Sequence, residues 1–368
     1  MVARSNGRIA PCCLWIDQSE DSGKSKAWLA DPFNSTWMEK IRASMLANKQ
    51  LSGCNECYLR EKSGVSSYRN AFNIEFGRPT LPNLEYLEFN LGNLCNLKCR
   101  MCGSWSSSKW AADEIALGLT PCELVRPAVA IISPYVTKLK KIRFIGGEPS
   151  LEQSAILDIL NQIYSATGAL SHLHVILTTN CMVRFEPELL EMLGQCSRVE
   201  LQCSVDGHSK INDYQRTGAE WQKILENLIY YQGLSFVFDT MILTSWSLIN
   251  AGSAIEFLTF VHDNLPRFYV WGHLVRDPEY LDMRNLPNDI KSLLISRLRQ
   301  WSQFDDLHWI RHNKQVILSQ LILESNEVPN QVLAKLDQLD RLRNEDFASI
   351  CPETHAALLS ACKNTDLA

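Results

Sequence analysis

The chain has 368 residues, 46% hydrophobic and 21% charged, with a formal net charge of −5 at neutral pH. At roughly 150 residues per domain, that is one large domain plus something smaller, with the composition of a folded protein rather than a disordered one. The acidic balance gives no support to bulk capture of nucleic acid or of an anionic membrane. No run approaches the ~18 to 20 apolar residues of a bilayer span, and the first residues lack the apolar core of a signal peptide, so the cytoplasm is the expected location.

Residues 1–75 read as loop-rich, interrupted by one helix over Thr36–Asn48 that sets Trp37, Ile41, Met45 and Leu46 on one face. From Leu84 the texture changes to strands alternating with helices. Strands are predicted at Leu84–Asn90, Lys141–Ile145, Leu173–Thr178, Arg198–Ser204, Ser235–Leu243 and Arg267–Val275. More than one helix is expected within Ser106–Tyr135, then helices at Glu152–Ala166, Pro187–Leu193, Gly218–Tyr231 and Ile249–Asn264. Such alternation implies a parallel sheet with right-handed crossovers. Six strands are too few for a closed eight-stranded barrel, so a partial (βα)6 barrel and a doubly wound sheet both fit. After Pro278 the chain reads as helical, with helices at Asn288–Trp301, Gln315–Glu324 and Gln331–Asn344. No internal repeat or low-complexity tract is present.

In either architecture ligands bind at the carboxyl ends of the strands, and the unusual residues lie there. The first strand runs into Cys95-Asn-Leu-Lys-Cys99-Arg-Met-Cys102. The second ends in Gly146-Gly147-Glu148-Pro149, the third in Thr179-Asn180 and the fourth in Ser204-Val205-Asp206-Gly207. The chain has 13 cysteines, which without a signal peptide point to metal or redox chemistry before disulfides. Cys122, Cys181, Cys196, Cys203, Cys351 and Cys362 are scattered and read as small buried hydrophobes. Thiolates suit zinc or iron–sulfur, and structural zinc wants four closed ligands. Three neighbouring thiolates on a cubane would leave one iron open, so the spacing favours a [4Fe–4S] cluster over zinc.

The cysteine loop, the Gly-Gly-Glu-Pro turn and the Ser-Val-Asp-Gly turn, in that order on successive strands, resemble the radical S-adenosylmethionine (SAM) superfamily. The resemblance covers residues 84–275. It implies an α/β fold with a partial, TIM-like (βα)6 barrel and a reducible [4Fe–4S] cluster on Cys95, Cys99 and Cys102. It also implies an oxidoreductase-type chemistry. The open iron chelates SAM, an electron from the cluster cleaves the sulfonium, and a 5′-deoxyadenosyl radical abstracts hydrogen from a substrate. The carbonyls of Gly146 and Gly147 are then placed to accept from the SAM ammonium, with Glu148 and Pro149 ordering the turn. Ser204 and Asp206 stand at ribose height, and Arg216 has the spacing of an arginine on the SAM carboxylate. Met101 would face adenine with its backbone, and Asn180 is a further candidate contact. Each also has a plainer reading. The Gly-Gly-Glu-Pro run, Asn180, Ser204 and Asp206 would be turn residues, Arg216 a solvated side chain and His273 a core histidine.

The first 75 residues carry Asn6-Gly7-Arg8-Ile9-Ala10-Pro11-Cys12-Cys13, then Trp37, Arg42, Met45, Gly53-Cys54-Asn55-Glu56-Cys57, Glu61, Gly64, Ser67 and Arg69. This is similar to the twitch module, the shorter relative of the SPASM extension, which implies an auxiliary [4Fe–4S] cluster on Cys12, Cys54 and Cys57. The family pattern has one more cysteine a hairpin strand before the glycine. It has no counterpart here, so the module is expected to be N-terminally incomplete. The cluster would have three protein ligands, borrow Cys13, Cys351 or Cys362, or fail to assemble. Structural zinc is the alternative.

The expected organisation is a twitch-like module over 1–75, a radical SAM partial barrel over 76–278 and a helical extension over 279–368. The leading expectation is a radical SAM enzyme acting on a peptide or protein and fed by a low-potential donor such as flavodoxin or ferredoxin. The alternatives are a non-catalytic cluster- or zinc-stabilised scaffold and a sugar- or RNA-modifying radical enzyme. The acidic charge does not favour an RNA substrate.

Overall fold

The computed structural model describes residues 1–3, 9–15, 33–62, 64, 66–77, 83–126, 136–325 and 329–365. Gly7 of the amino-terminal motif lies outside the described residues, as does the end of the Ser106–Tyr135 region.

The elements in chain order begin with β1 (Val2–Ala3), β2 (Ile9–Ala10), α1 (Thr36–Leu46), α2 (Asn55–Lys62) and α3 (Tyr68–Phe76). Next come β3 (Tyr86–Asn90), β4 (Lys98–Cys99), α4 (Trp110–Ala116), β5 (Lys141–Ile145), α5 (Gln153–Thr167), β6 (His174–Thr179) and α6 (Pro187–Leu193). Then follow β7 (Arg198–Ser204), α7 (Ser209–Gln215), β8 (Arg216–Thr217), α8 (Trp221–Gln232), β9 (Val237–Trp246), α9 (Ala254–Asn264) and β10 (Phe268–Leu274). The carboxyl-terminal part is α10 (Asn288–Gln300), α11 (His308–Leu321), α12 (Pro329–Arg343), α13 (Phe347–Ile350) and α14 (Pro352–Thr365).

The six expected strands are β3, β5, β6, β7, β9 and β10, a parallel sheet alternating with helices. This is the α/β, partial-barrel class, followed by a helical region. Among the described residues no helix is long and apolar enough to cross a membrane.

The chain divides into two compact units. The first comprises Met1–Leu94, Leu124–Leu177 and Phe185–Val199. In it β3 pairs in parallel with β5, and β5 with β6, while β1 pairs in parallel with β3 and antiparallel with β2. Ile142 and Phe144 of β5, and Ile156, Ile159, Leu160 and Ile163 of α5, are fully buried, so α5 covers the sheet with one apolar stripe. The amino-terminal segment is less loop-like than its sequence suggests. It contains a two-strand pairing and three helices, α1 to α3. Helix α2 escapes the sequence reading because it buries only Cys57, whereas α3 carries Tyr68, Phe72 and Phe76 on one face, a helical period that the sequence reading passed over.

The second unit comprises Cys95–Glu123, Thr178–Arg184 and Glu200–Ala368. Strands β9 and β10 pair in parallel with Thr240 opposite Phe268. Helix α11 begins at His308 and ends at Leu321, earlier than the predicted Gln315–Glu324. Its amino-terminal half carries His308, Arg311, His312 and Lys314, which mask the apolar period. Strand β4 is only two residues long and pairs antiparallel with β8, with Lys98 opposite Thr217 and Cys99 opposite Arg216.

Candidate functional site

In the first unit, the paired glycines after β5 pack on the loop that follows β3. Gly147 N–H donates to Gly92 O at 2.9 Å and Glu148 N–H to Leu94 O at 2.8 Å. A Cβ on Gly147 would lie 2.3 Å from Leu94 O and 2.7 Å from the Asn93 carbonyl carbon, so only glycine permits this approach. Leu94 is bonded to Cys95, so this packing fixes the chain where it enters the cysteine loop. Glu148 is buried, and its Oε1 accepts from Ser150 N–H at 3.0 Å, which starts the short helical turn at Pro149.

In the second unit, the cysteine loop is held by its own neighbours. Ser108 Oγ accepts from Cys95 N–H at 3.3 Å and donates to Cys95 O at 3.4 Å. Ser107 Oγ donates to Leu97 O at 2.5 Å, and Trp110 Nε1 to Cys99 O at 2.8 Å. Cys102 N–H closes the turn on Cys99 O at 3.0 Å, with Met101 half-buried inside it. Donors face sulfur here: Leu97 N–H lies 3.5 Å from Cys95 Sγ, and Arg216 Nη1 lies 3.7 Å from Cys99 Sγ.

Arg216 is not a solvated side chain. It is buried, and its Nε stands 2.8 Å from Asp206 Oδ2 in an ion pair. Asp206 Oδ1 accepts from Ser245 N–H at 2.6 Å, and Asn250 Nδ2 donates to Asp206 O at 2.8 Å. Burial opposes the charge on Arg216, but Asp206 and Cys99 outweigh it and hold the guanidinium above its ordinary pKa. Burial pushes the Cys99 thiol up, against the pull of Arg216. Burial also pushes Cys102 up to about 12, with the Cys99 charge adding to the rise. Asn180 Nδ2 donates to Asn96 Oδ1 at 2.8 Å, and Asn180 Oδ1 accepts from Met182 N–H at 3.0 Å. Asn180 is thus both a turn residue and a clip on the cysteine loop. Ser204 is half-buried at the end of β7.

Among the described residues, no group of three or more His, Cys, Asp or Glu gathers closely enough to hold a single metal ion. Three thiolates of a cubane bind three different irons, so they need not converge on one point. Thiols that are buried at Cys95 and half-buried at Cys99 and Cys102, with N–H groups aimed at sulfur, fit such a group, because those donors stabilise bound thiolate.

The family model described as the Radical SAM superfamily matches residues 89–244. The chain carries a radical SAM domain. That domain holds the cysteine loop, the paired glycines, Asn180, Asp206 and Arg216; the amino-terminal cysteines and helices α10 to α14 lie outside it.

The structure is similar to "Native anSMEcpe with bound AdoMet" at 16% identity and TM-score 0.45, covering 61% of this chain and 62% of that one. It is similar to Streptococcus suis SuiB bound to S-adenosylmethionine at 15% identity and TM-score 0.41, covering 73% and 58%. A third likeness is to TYW1 with a lysine-pyruvate adduct bound, at 14% identity and TM-score 0.35, covering 72% and 89%. The chain spans about three fifths of the length of the anSMEcpe and SuiB chains. No curated protein matches it.

The amino-terminal cysteines outside the radical SAM domain have their own setting, within the first unit. A cavity of about 260 Å³ is lined by Cys12, Cys54 and Cys57 together with Phe33, Met38 and Arg42. Cys54 belongs to a buried cluster with Val2, Ala10, Trp15 and Ile41. A Cβ on Gly53 would lie 2.6 Å from the Trp15 ring, so the glycine lets the indole lie flat on the turn before Cys54. Burial pushes the Cys12 thiol up, opposed by the Leu14 backbone and reinforced by Cys54 and Cys57. Glu61, Ser67 and Arg69 of the same motif join directly: Ser67 Oγ donates to Glu61 at 2.5 Å and Arg69 Nε at 3.0 Å. Cys13 is exposed in this unit. Cys351 is buried in the second unit, where its thiol donates to Ile249 O at 3.3 Å, and Cys362 is buried there too.

Sequence reasoning missed Asn96, Ser107, Ser108 and Trp110, which only support the loop, and Arg100, which sits between two cysteines. Serine, asparagine and tryptophan carry no signal of such a role when the residues they serve are unknown.

Proposed function

We propose that this chain is a radical SAM enzyme in which Cys95, Cys99 and Cys102 hold a [4Fe–4S] cluster. The observation that carries the reading is the cysteine loop of the radical SAM domain, with N–H donors aimed at the Cys95 and Cys99 sulfurs. A cluster with SAM bound supplies reductive cleavage of SAM to a 5′-deoxyadenosyl radical, which abstracts hydrogen from a substrate.

The protein's own part is to hold and orient. Ser108, Trp110 and the β4–β8 pairing fix the backbone that presents the three sulfurs. Asp206 keeps Arg216 charged beside Cys99, where a SAM carboxylate can share the guanidinium. Gly146 and Gly147 offer their carbonyls to the SAM ammonium, with Glu148 and Pro149 ordering the turn, Ser204 offers a hydroxyl to its ribose, Met101 faces adenine with its backbone, and Asn180 is a further contact. Cys12, Cys54 and Cys57, around one cavity, hold an auxiliary cluster in a twitch-like module. On the likeness of that module, the substrate is a peptide or protein, and the electron comes from a low-potential donor such as flavodoxin or ferredoxin. The three-part organisation, over 1–75, 76–278 and 279–368, belongs to the same reading.

Anaerobic purification, iron and acid-labile sulfide analysis and a SAM-cleavage assay with dithionite test it. Iron and sulfide in equal amounts, with 5′-deoxyadenosine formed, are expected. Stoichiometric zinc without sulfide, or no cleavage by fully loaded protein, overturns it.

A further inference from the structure

Arg100, between Cys99 and Cys102, is completely buried. A buried guanidinium must be paired, and every partner of this one comes from far along the chain. Its Nε donates to Tyr214 O at 3.1 Å, and its Cζ lies 3.7 Å from the centre of the Tyr214 ring. Its Nη2 pairs with Asp340 and, at 2.5 Å, with Glu345 Oε2. Asp340 is itself fixed: Oδ1 accepts from Tyr214 OH at 2.9 Å, and Oδ2 from Phe347 N–H at 2.6 Å.

A second limb runs beside the first. Arg343 Nε donates to Asp113 Oδ2 at 2.8 Å and Nη1 to Thr217 Oγ1 at 3.0 Å. Thr217 Oγ1 donates to Glu345 Oε2 at 3.2 Å. Asp113 Oδ1 accepts from Lys98 Nζ at 2.9 Å. The Arg343 guanidinium also covers Trp110, 4.3 Å from its ring centre, and Trp110 Nε1 donates to Cys99 O.

The two limbs end on both strands of one ribbon. Lys98 and Thr217 face each other, as do Cys99 and Arg216, and each strand has two residues. Two strands of two residues cannot hold their register alone, and a slip of one residue would reverse the side on which Cys99 and Arg216 stand. We propose that Asp340, Arg343 and Glu345 are positioning residues for the cysteine loop, clamping the ribbon through Arg100, Thr217 and Asp113. The carboxyl-terminal helical region is then a working part of the site rather than an appendage. What the clamp serves rests on the cluster reading above; that it clamps the loop does not.

The test uses the full chain carrying Asp340→Asn with Glu345→Gln, compared with the parent and with Glu353→Gln, an exposed carboxylate on α14. Hydrogen exchange is read in the iron-free protein, and iron loss to a chelator in the reconstituted protein. In the double variant we expect exchange at 97–102 and 214–217 to quicken by about tenfold or more, with β9 and β10 unchanged. Iron loss is expected to quicken in parallel, while Asp340→Glu remains close to the parent. Equal exchange in parent and double variant overturns the clamp, as does equal quickening throughout the chain. If the parent takes up no iron, the cluster reading fails, and exchange alone still decides the clamp. If the double variant does not fold, Glu345→Gln alone is judged by the same two criteria.

Discussion

Cys95, Cys99 and Cys102 lie in a loop tied by many polar groups: serine hydroxyls, an indole N–H, a buried ion pair and a two-residue ribbon. Cys12, Cys54 and Cys57 line a cavity whose walls are largely apolar, Ile41 among them, and Trp15 and Val2 pack in the buried cluster that includes Cys54. Directional bonds fix distance and angle, so the first site tolerates little change in any partner. Apolar packing fixes volume and leaves orientation freer, so the second should tolerate substitution better and hold a metal group less tightly. Three cysteines are thus set in a polar frame in one place and a largely apolar one in the other.

The sharpest way to break this contrast is to remove the thiols of the polar site. Replacing Cys95, Cys99 and Cys102 together by alanine should abolish 5′-deoxyadenosine formation and remove one cluster's worth of iron. Iron–sulfur absorbance from Cys12, Cys54 and Cys57 should remain. A triple variant with no iron but stoichiometric zinc would replace the auxiliary cluster with a structural zinc site.

Asp206→Asn comes next. It leaves the buried Arg216 without its counter-charge, a change that typically costs about 3–5 kcal/mol. Chemical denaturation should register that loss, and calorimetry a weaker SAM affinity. A variant as stable as the parent would show that water reaches the guanidinium.

Gly147→Val should cost about 1–3 kcal/mol, because its Cβ would meet Leu94 O. The same substitution should lower SAM affinity by shifting the chain that leads into Cys95. Thermal melting and SAM titration together separate the two effects.

The smallest effect is expected in the amino-terminal module. Glu61→Gln, in a partly exposed pair with Arg69, should change stability by roughly 1 kcal/mol or less. Arg69 and Ser67 hold the Glu61 carboxyl below its ordinary pKa, so its contribution is present above the unfolded value. It is lost as pH falls through the folded one. The gap between parent and variant should therefore close in acid, as followed by denaturation at several pH values.

Thiol reactivity gives a further contrast. In iron-free protein, burial holds Cys102 up at about 12, so its alkylation should rise about tenfold per pH unit through the range from 7 to 10. Exposed Cys13 should be labelled before it, as peptide mass mapping would read.

The parallel strands were legible because each is a short apolar or alternating run bounded by turn residues. Lys141–Ile145 and Arg198–Ser204 match residue for residue. The cysteine loop stood out by its spacing, together with the two turns that follow it on later strands. Arg216 was legible as a position but not as a partner. Its pairing with Asp206 spans only ten residues, yet no local pattern distinguishes it from a surface arginine. Gly147 was expected to make room for a ligand, and the room it makes is filled by Leu94 O. The contacts of Arg100 with Asp340 and Glu345 cross 240 and 245 residues, beyond the reach of any periodicity.

The complete burial of Arg100 reaches beyond this one molecule. A desolvated charge cannot be left alone, so neither end of the clamp can be exchanged by itself without heavy loss. Among related chains, the residue at position 100 and the acids at 340 and 345 should therefore vary together. A relative that lacks the carboxyl-terminal helices should carry a neutral or solvent-facing residue where this chain has Arg100. The history of the helical extension would then be written inside the cysteine motif itself, in the residue that follows its second cysteine.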